Sequence, residues 1–124
     1  MMKRLRVGII GLGVGERHIG GFRRHPAADV VALCDINADV RARVHQSYPD
    51  MALLADADAL IDDDRIDVVS IASYDDVHFS QVQRALNRGK HVFVEKPLCL
   101  RIEEFQTIKK LLADNPHLHL SSNL

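Results

Sequence analysis

The sequence predicts an α/β fold, a doubly wound parallel sheet with helices on both faces. Short apolar runs rich in Val and Ile alternate with helix-period segments of about ten residues, the rhythm of βαβ units. These runs are nearly continuous in apolar character, as strands covered on both faces must be. A glycine-rich turn also sits directly between the first run and the first helical segment.

The strands are read at Leu5 to Ile10, Val30 to Cys34, a weak run Ala52 to Leu54, Val68 to Ala72, His91 to Val94 and Leu118 to Leu120. Between them, Ile19 and Phe22 share one helical face, as do Val40 and Val44. Phe79, Val82, Ala85 and Leu86 form a third stripe, and Ile102, Phe105, Ile108 and Leu112 a fourth. Asn37 is placed to cap the helix after the second strand, and Gly89 to end the helix before the fifth. Parallel crossovers are right-handed, so the expected strand order is 3-2-1-4-5-6, with a crevice where the order reverses. Functional residues should then follow Ile10, Cys34, Ala72 and Val94.

The 124 residues suffice for one domain, and residues 1–124 are read as a single dinucleotide-binding domain. Hydrophobic residues make up 47% and charged residues 27%, which excludes disorder, and aromatics only 5%, which implies an aliphatic core. A formal charge of −1 gives no field to draw nucleic acid or an anionic membrane. The longest apolar run, Val7 to Val14, is short and broken by glycines, too little for a membrane span and without a signal-peptide layout. A cytoplasmic location is expected. Cys34 and Cys99 lack C-x-x-C or metal-ligand spacing and read as reduced, packed thiols.

After the first strand comes Gly11-Leu12-Gly13-Val14-Gly15-Glu16-Arg17-His18. Gly11 suits a tight turn, Gly13 leaves a pyrophosphate room to approach the backbone, and the following helix directs its positive end there. The third position of G-x-G-x-x-G is Glu16, so either Gly15 serves in a loop one residue shorter or that position tolerates Glu16. The first is favoured, because a Glu packed on the strand would be a buried charge without a partner. G-x-G-x-G also fits S-adenosylmethionine-dependent methyltransferases, which use an acidic residue after their second strand.

Asp35 lies 24 residues beyond Gly11, near the ~20-residue offset at which a carboxylate meets the adenosine ribose. Such a carboxylate accepts from the hydroxyls of NAD and repels the 2′-phosphate of NADP, so NAD is expected; Arg41 or Arg43, folded back, could accommodate NADP. The alternative reading makes Asp35 a helix cap. After the fourth strand, Ala72 and Ser73 are small enough to let a dinucleotide pass. Asp75, Asp76 and His78 have no companion ligand cluster, and Asp75 or Asp76 is placed to cap the next helix, so no metal is expected.

The stretch Gly89-Lys90-His91-Val92-Phe93-Val94-Glu95-Lys96-Pro97 is more specific. Pro97 fixes its own φ and biases Lys96 towards an extended backbone, aiming the ammonium into the crevice, where it can polarise a carbonyl. A surface Glu–Lys pair is the bland alternative. With the glycine loop, His18, Asp35 and His78, this run resembles the glucose-fructose oxidoreductase/inositol dehydrogenase (Gfo/Idh/MocA) family over essentially the whole chain. The loop spacing and Tyr74, where that family often has proline, depart from its pattern.

The resemblance implies an N-terminal NAD(P)-binding Rossmann domain, with a C-terminal substrate domain lying outside this chain. It implies Lys96 as the catalytic residue, contacting substrate and cofactor, and Glu95 near the nicotinamide ribose. Asn123 matches a polar position ending the sixth strand. Cofactor contacts are expected at Gly11, Gly13, Val14, Gly15, Asp35, Ile36, Ala72, Ser73, Tyr74, His78, Glu95 and Lys96. The expected function is hydride transfer between nicotinamide and a sugar-like or cyclitol-like alcohol or carbonyl, by a parent enzyme that is a homo-oligomer, with the isolated chain inactive. A methyltransferase fragment and a non-catalytic nucleotide-binding module are the rival readings.

Overall fold

The computed structural model describes residues 3–123. The elements are β1 (Leu5–Ile10), α1 (Glu16–Arg23), β2 (Ala28–Cys34), α2 (Ala38–Ser47), β3 (Ala52–Leu54), α3 (Ala57–Ile61), β4 (Val68–Ile71), α4 (His78–Asn87), β5 (His91–Val94), α5 (Ile102–Asp114) and β6 (Leu120–Ser122). The strands form one sheet in the order β3-β2-β1-β4-β5-β6. Every neighbouring pair is parallel. This is the expected doubly wound architecture.

Strand alternation divides the core in two. Val7 and Ile9 of β1 point into a cluster with Ile19 of α1 and Val44 of α2. Ile10 instead joins Val69 and Ile71 of β4, Leu60 and Ile61 of α3, Val82 and Leu86 of α4 and Ile108 of α5. Helices therefore cover both faces, and the aliphatic content read from composition supplies both clusters.

Local signals explain several boundaries. The Asn37 side chain accepts hydrogen bonds from the Asp39 and Val40 N–H groups, capping α2 as expected. Gly89 adopts φ +75° just past α4. There Gly89 N–H donates to Leu86 O and Lys90 N–H to Ala85 O, closing a Schellman turn. Lys90, only 6% exposed, donates from Nζ to the carbonyls of Asp63 and Ile66 at 2.8 and 2.6 Å. It thus pins the loop before β4 to the turn before β5.

Four expectations need correction. β2 begins at Ala28, ahead of Val30. β4 ends at Ile71, one residue short of Ala72. The last strand is Leu120–Ser122 rather than Leu118 to Leu120, because Leu118 is drawn into the α5-side core by a turn in which its N–H donates to Asn115 O. Neither Asp75 nor Asp76 caps α4; Asp75–Val77 form a 3-10 turn leading into the helix, and no side chain caps either. In addition, α3 carries no periodic stripe long enough to read. Asp56 caps it by accepting from Asp58 N–H, and both of its large apolar residues, Leu60 and Ile61, are fully buried.

Both thiols are free. Burial, aided by the Asp35 and Asp56 carboxylates, pushes Cys34 up to about 12, so it stays protonated and inert in the folded chain. At the amino end of β5 the His91 ring stacks on His119 with centroids 5.4 Å apart, and His91 Nδ1 accepts the His119 N–H at 3.1 Å.

Leu60→Ala should cost about 2–5 kcal/mol by urea unfolding, since it leaves a cavity at a fully buried site in the core. A second expectation concerns acid. Burial, then the neighbouring His119 and His117, hold His91 below its ordinary 6.5, while the Asp67 carboxylate opposes this. The unfolded chain therefore binds the proton more readily, and the stability His91 contributes is present above pH 6.5 and lost as pH falls below it. Urea midpoints measured on either side of that value should fall on acidification, and His91→Gln should flatten the slope.

Candidate functional site

The site is built where β1 turns into α1. Gly11 adopts φ +86°, and a Cβ there would lie 2.5 Å from the Ala72 carbonyl carbon and oxygen. The Gly11 N–H donates to Cys34 O and the Ala72 N–H to Ile10 O, both at 2.8 Å. The carboxyl ends of β2, β1 and β4 are thereby locked side by side. A Cβ on Gly15 would collide with the Gly11 carbonyl oxygen, so Gly15 does the work of the third glycine in a turn one residue shorter. Glu16 is no obstacle, because it remains partly exposed and pairs with Arg43 at 2.8 Å. Gly13 is exposed, and a Cβ there meets nothing within 4 Å. The turn therefore presents open backbone at the positive end of α1, the setting an anionic pyrophosphate needs.

Asp35 leaves β2 beside this turn. Its Oδ2 accepts the Leu12 N–H at 2.8 Å and its Oδ1 the Asn37 N–H at 2.9 Å. The carboxylate is thus held against the glycine turn while Asn37 does the capping. Arg41 folds back and donates from Nη1 to the Asp35 carbonyl at 2.8 Å, whereas Arg43 is engaged by Glu16. Val14, Ile36 and Tyr74 expose large apolar surface around the crevice, 55%, 72% and 73% respectively. Flat nucleotide rings require such walls.

The ends of β4 and β5 complete the crevice. Ala72 and Ser73 are half-buried, with Ser73 Oγ donating to Gln81 Oε1. Lys96 is exposed and its peptide bond to Pro97 is cis. His78, expected at the crevice, lies fully buried behind it, with one ring nitrogen 2.7 Å from Pro97 O and the other 2.8 Å from Ser73 O. It joins the wall after β4 to the turn after β5 and cannot face a ligand directly.

Glu95 is bound on both oxygens. His18 Nε2 lies 2.7 Å from Oε1, and Asn123 Nδ2 donates to Oε2 at 2.9 Å. The hydrogen bond from Asn123, then that from His18, holds the Glu95 carboxyl below its ordinary range. The other His18 nitrogen meets Ser70 Oγ at 2.6 Å. A serine, a histidine and a carboxylate in line share the composition of a hydrolytic triad, but Ser70 is fully buried within β4 and no substrate carbonyl can reach it. In the sequence, His18 is marked only by the family resemblance. Ser70, a lone polar residue in a Val- and Ile-rich strand, was the available signal that a partner lay opposite.

Among the described residues no three His, Cys, Asp or Glu side chains converge as a metal site, and no helix is long and apolar enough to cross a membrane. A cavity of about 540 Å³ lies on the α1 side of the sheet, lined by Leu5, His18, Phe22 and Phe93 among others.

Comparison with known proteins accounts for this arrangement. The sequence pattern of the family described as an oxidoreductase family with an NAD-binding Rossmann fold, Gfo/Idh/MocA, matches residues 5–122. The chain belongs to that family. It is 38% identical over 109 residues to an inositol 2-dehydrogenase/D-chiro-inositol 3-dehydrogenase of Shouchella clausii, covering 81% of this chain and 32% of that protein. A crystal structure of scyllo-inositol dehydrogenase from Lactobacillus casei, with bound NAD(H) and scyllo-inositol, superposes with a TM-score of 0.88 at 28% identity, covering 98% of this chain and 36% of that one. Biliverdin reductase from Synechocystis sp. PCC 6803, in complex with biliverdin and NADP+, gives 0.87 at 28% identity over 94% of this chain and 37% of that one. The chain thus spans about a third of the length of the relatives it matches, and within the family it is an NAD-binding Rossmann domain.

Gly15→Ala should destabilise the fold by at least about 1–3 kcal/mol, because its Cβ meets backbone that cannot move aside. Thermal unfolding monitored by circular dichroism measures this.

Proposed function

We propose that this domain holds NAD for a parent enzyme that moves a hydride between the nicotinamide and an alcohol or carbonyl carbon of a cyclitol-like or sugar-like small molecule. What supports the reading is that the open glycine turn, the Asp35 carboxylate and the exposed Lys96 follow the carboxyl ends of β1, β2 and β5 in one parallel sheet, on the same edge. The named substrates of the inositol dehydrogenase relatives favour a polyol.

In this reading Gly11, Gly13, Val14 and Gly15 take the pyrophosphate, while Asp35 and Ile36 take the adenosine ribose and adenine side. Ala72, Ser73, Tyr74 and Glu95 flank the nicotinamide half. NAD supplies the hydride-accepting carbon. Lys96, with its ammonium free of partners among the described residues, donates a hydrogen bond to the reacting oxygen and steadies the charge that develops there. The substrate domain lies in the remainder of the parent, which acts in the cytoplasm as a homo-oligomer. The methyltransferase reading is set aside, since the family match extends through Glu95-Lys96-Pro97.

Fluorescence titration of NADH into the chain tests the proposal; saturable binding is expected, and none at millimolar cofactor would refute it. Gly13→Ala, which fills open space, should leave stability within about 0.5 kcal/mol yet weaken NADH at least tenfold, a loss of roughly 1.4 kcal/mol. Asp35→Ala should weaken NADH more than NADPH.

A further inference from the structure

The groups around Glu95 form a hydrogen-bonded chain drawn from four elements of the fold. Ser70 belongs to β4, His18 to α1, Glu95 follows β5 and Asn123 follows β6. The chain's two middle members, His18 and Glu95, adjoin the glycine turn and Lys96 respectively. His18 stands three residues beyond Gly15 on the helix that opens at the glycine turn, and Glu95 immediately precedes Lys96.

The proton directions follow from the groups themselves. A carboxylate only accepts, so His18 Nε2–H donates to Glu95 Oε1. In the neutral ring Nδ1 is then an acceptor, and the Ser70 hydroxyl donates to it. This hydrogen bond satisfies the fully buried Ser70 side chain. Phe93 packs edge-on against the His18 ring with centroids 5.2 Å apart, limiting its rotation. With Asn123 on Oε2, Glu95 is gripped at both oxygens while its neighbour Lys96 stays exposed.

We infer that His18 is a positioning residue: by fixing the Glu95 carboxylate it holds the Glu95-Lys96-Pro97 turn against the helix that begins at the glycine turn. The pyrophosphate end and the reacting end of the crevice are thereby coupled through one side chain. The ligand half of this inference rests on the dinucleotide reading above; the proton arrangement does not.

Three measurements on the chain test it. Long-range 1H–15N spectra of the wild type should place the proton of neutral His18 on Nε2; a proton on Nδ1 would overturn the inference whatever the variants do. The Glu95 carboxyl, followed by 13C NMR, should titrate below 4.5 in the wild type and in His18→Gln, which keeps a donor near the Nε2 position, and should move up towards 4.5 in His18→Leu. An unchanged Glu95 titration in His18→Leu overturns the inference, and if that variant fails to fold, the wild-type proton position decides.

The third readout compares NADH with ADP-ribose, which keeps the adenosine and pyrophosphate but lacks nicotinamide. His18→Leu should weaken NADH relative to ADP-ribose by roughly fivefold or more, and His18→Gln should restore most of the loss. An unchanged ratio counts against the coupling. Should the wild type bind neither compound, the dinucleotide reading fails, and the proton position and Glu95 titration still decide the role of His18.

Discussion

The backbone of Gly11 packs on that of Ala72 at a distance no side chain allows, and the carboxyl edge of the sheet is organised around that contact. β1 lies between β2 and β4, the place where strand order reverses, so a crevice must open beyond its end. Because Gly11 lets the first turn lie flat on the start of the β4 loop, the chain can reverse tightly and seat Gly15 on the Gly11 carbonyl. Asp35 then reaches the Leu12 N–H from β2. Each later contact presupposes the first.

A second layer of order comes from polar groups placed inside an otherwise aliphatic molecule. Ser70, His78 and Lys90 are the buried polar residues among those described, and each has hydrogen-bond partners. None lies at random. Lys90 pins the loop before β4, His78 joins the loops after β4 and β5, and Ser70 serves the ring that grips Glu95. Apolar packing is non-directional and positions loops poorly, whereas a buried donor left without its acceptor is costly. The crevice is held in shape by these few bonds more than by its own surface residues.

Much of this was legible in the sequence because it is local. The six strands, the Asn37 cap, the Gly89 stop and the role of Gly15 in place of Glu16 all follow from patterns within a few residues. α3 escaped because five residues cannot display a helical period, and its justification is tertiary: Leu60 and Ile61 fill the core beneath α4 and α5. The inward turn of His78 was equally hidden, since the carbonyls that its two ring nitrogens face, Ser73 O and Pro97 O, come from two separate loops. His18 and Asn123 meet Glu95 across 77 and 28 residues respectively, separations over which no spacing rule operates. Asp35 lies between these cases: its offset was readable, but its grip on Leu12 was not.

The two outermost strands, β3 and β6, are only three residues long. A strand at the rim of a sheet displays unpaired N–H and C=O groups that can template the addition of a stranger chain. Here the β3 rim displays so few that an invading segment would gain little before running out of partners. The fold has no closed barrel to remove its rims, and at β3 a short strand limits edge-to-edge pairing.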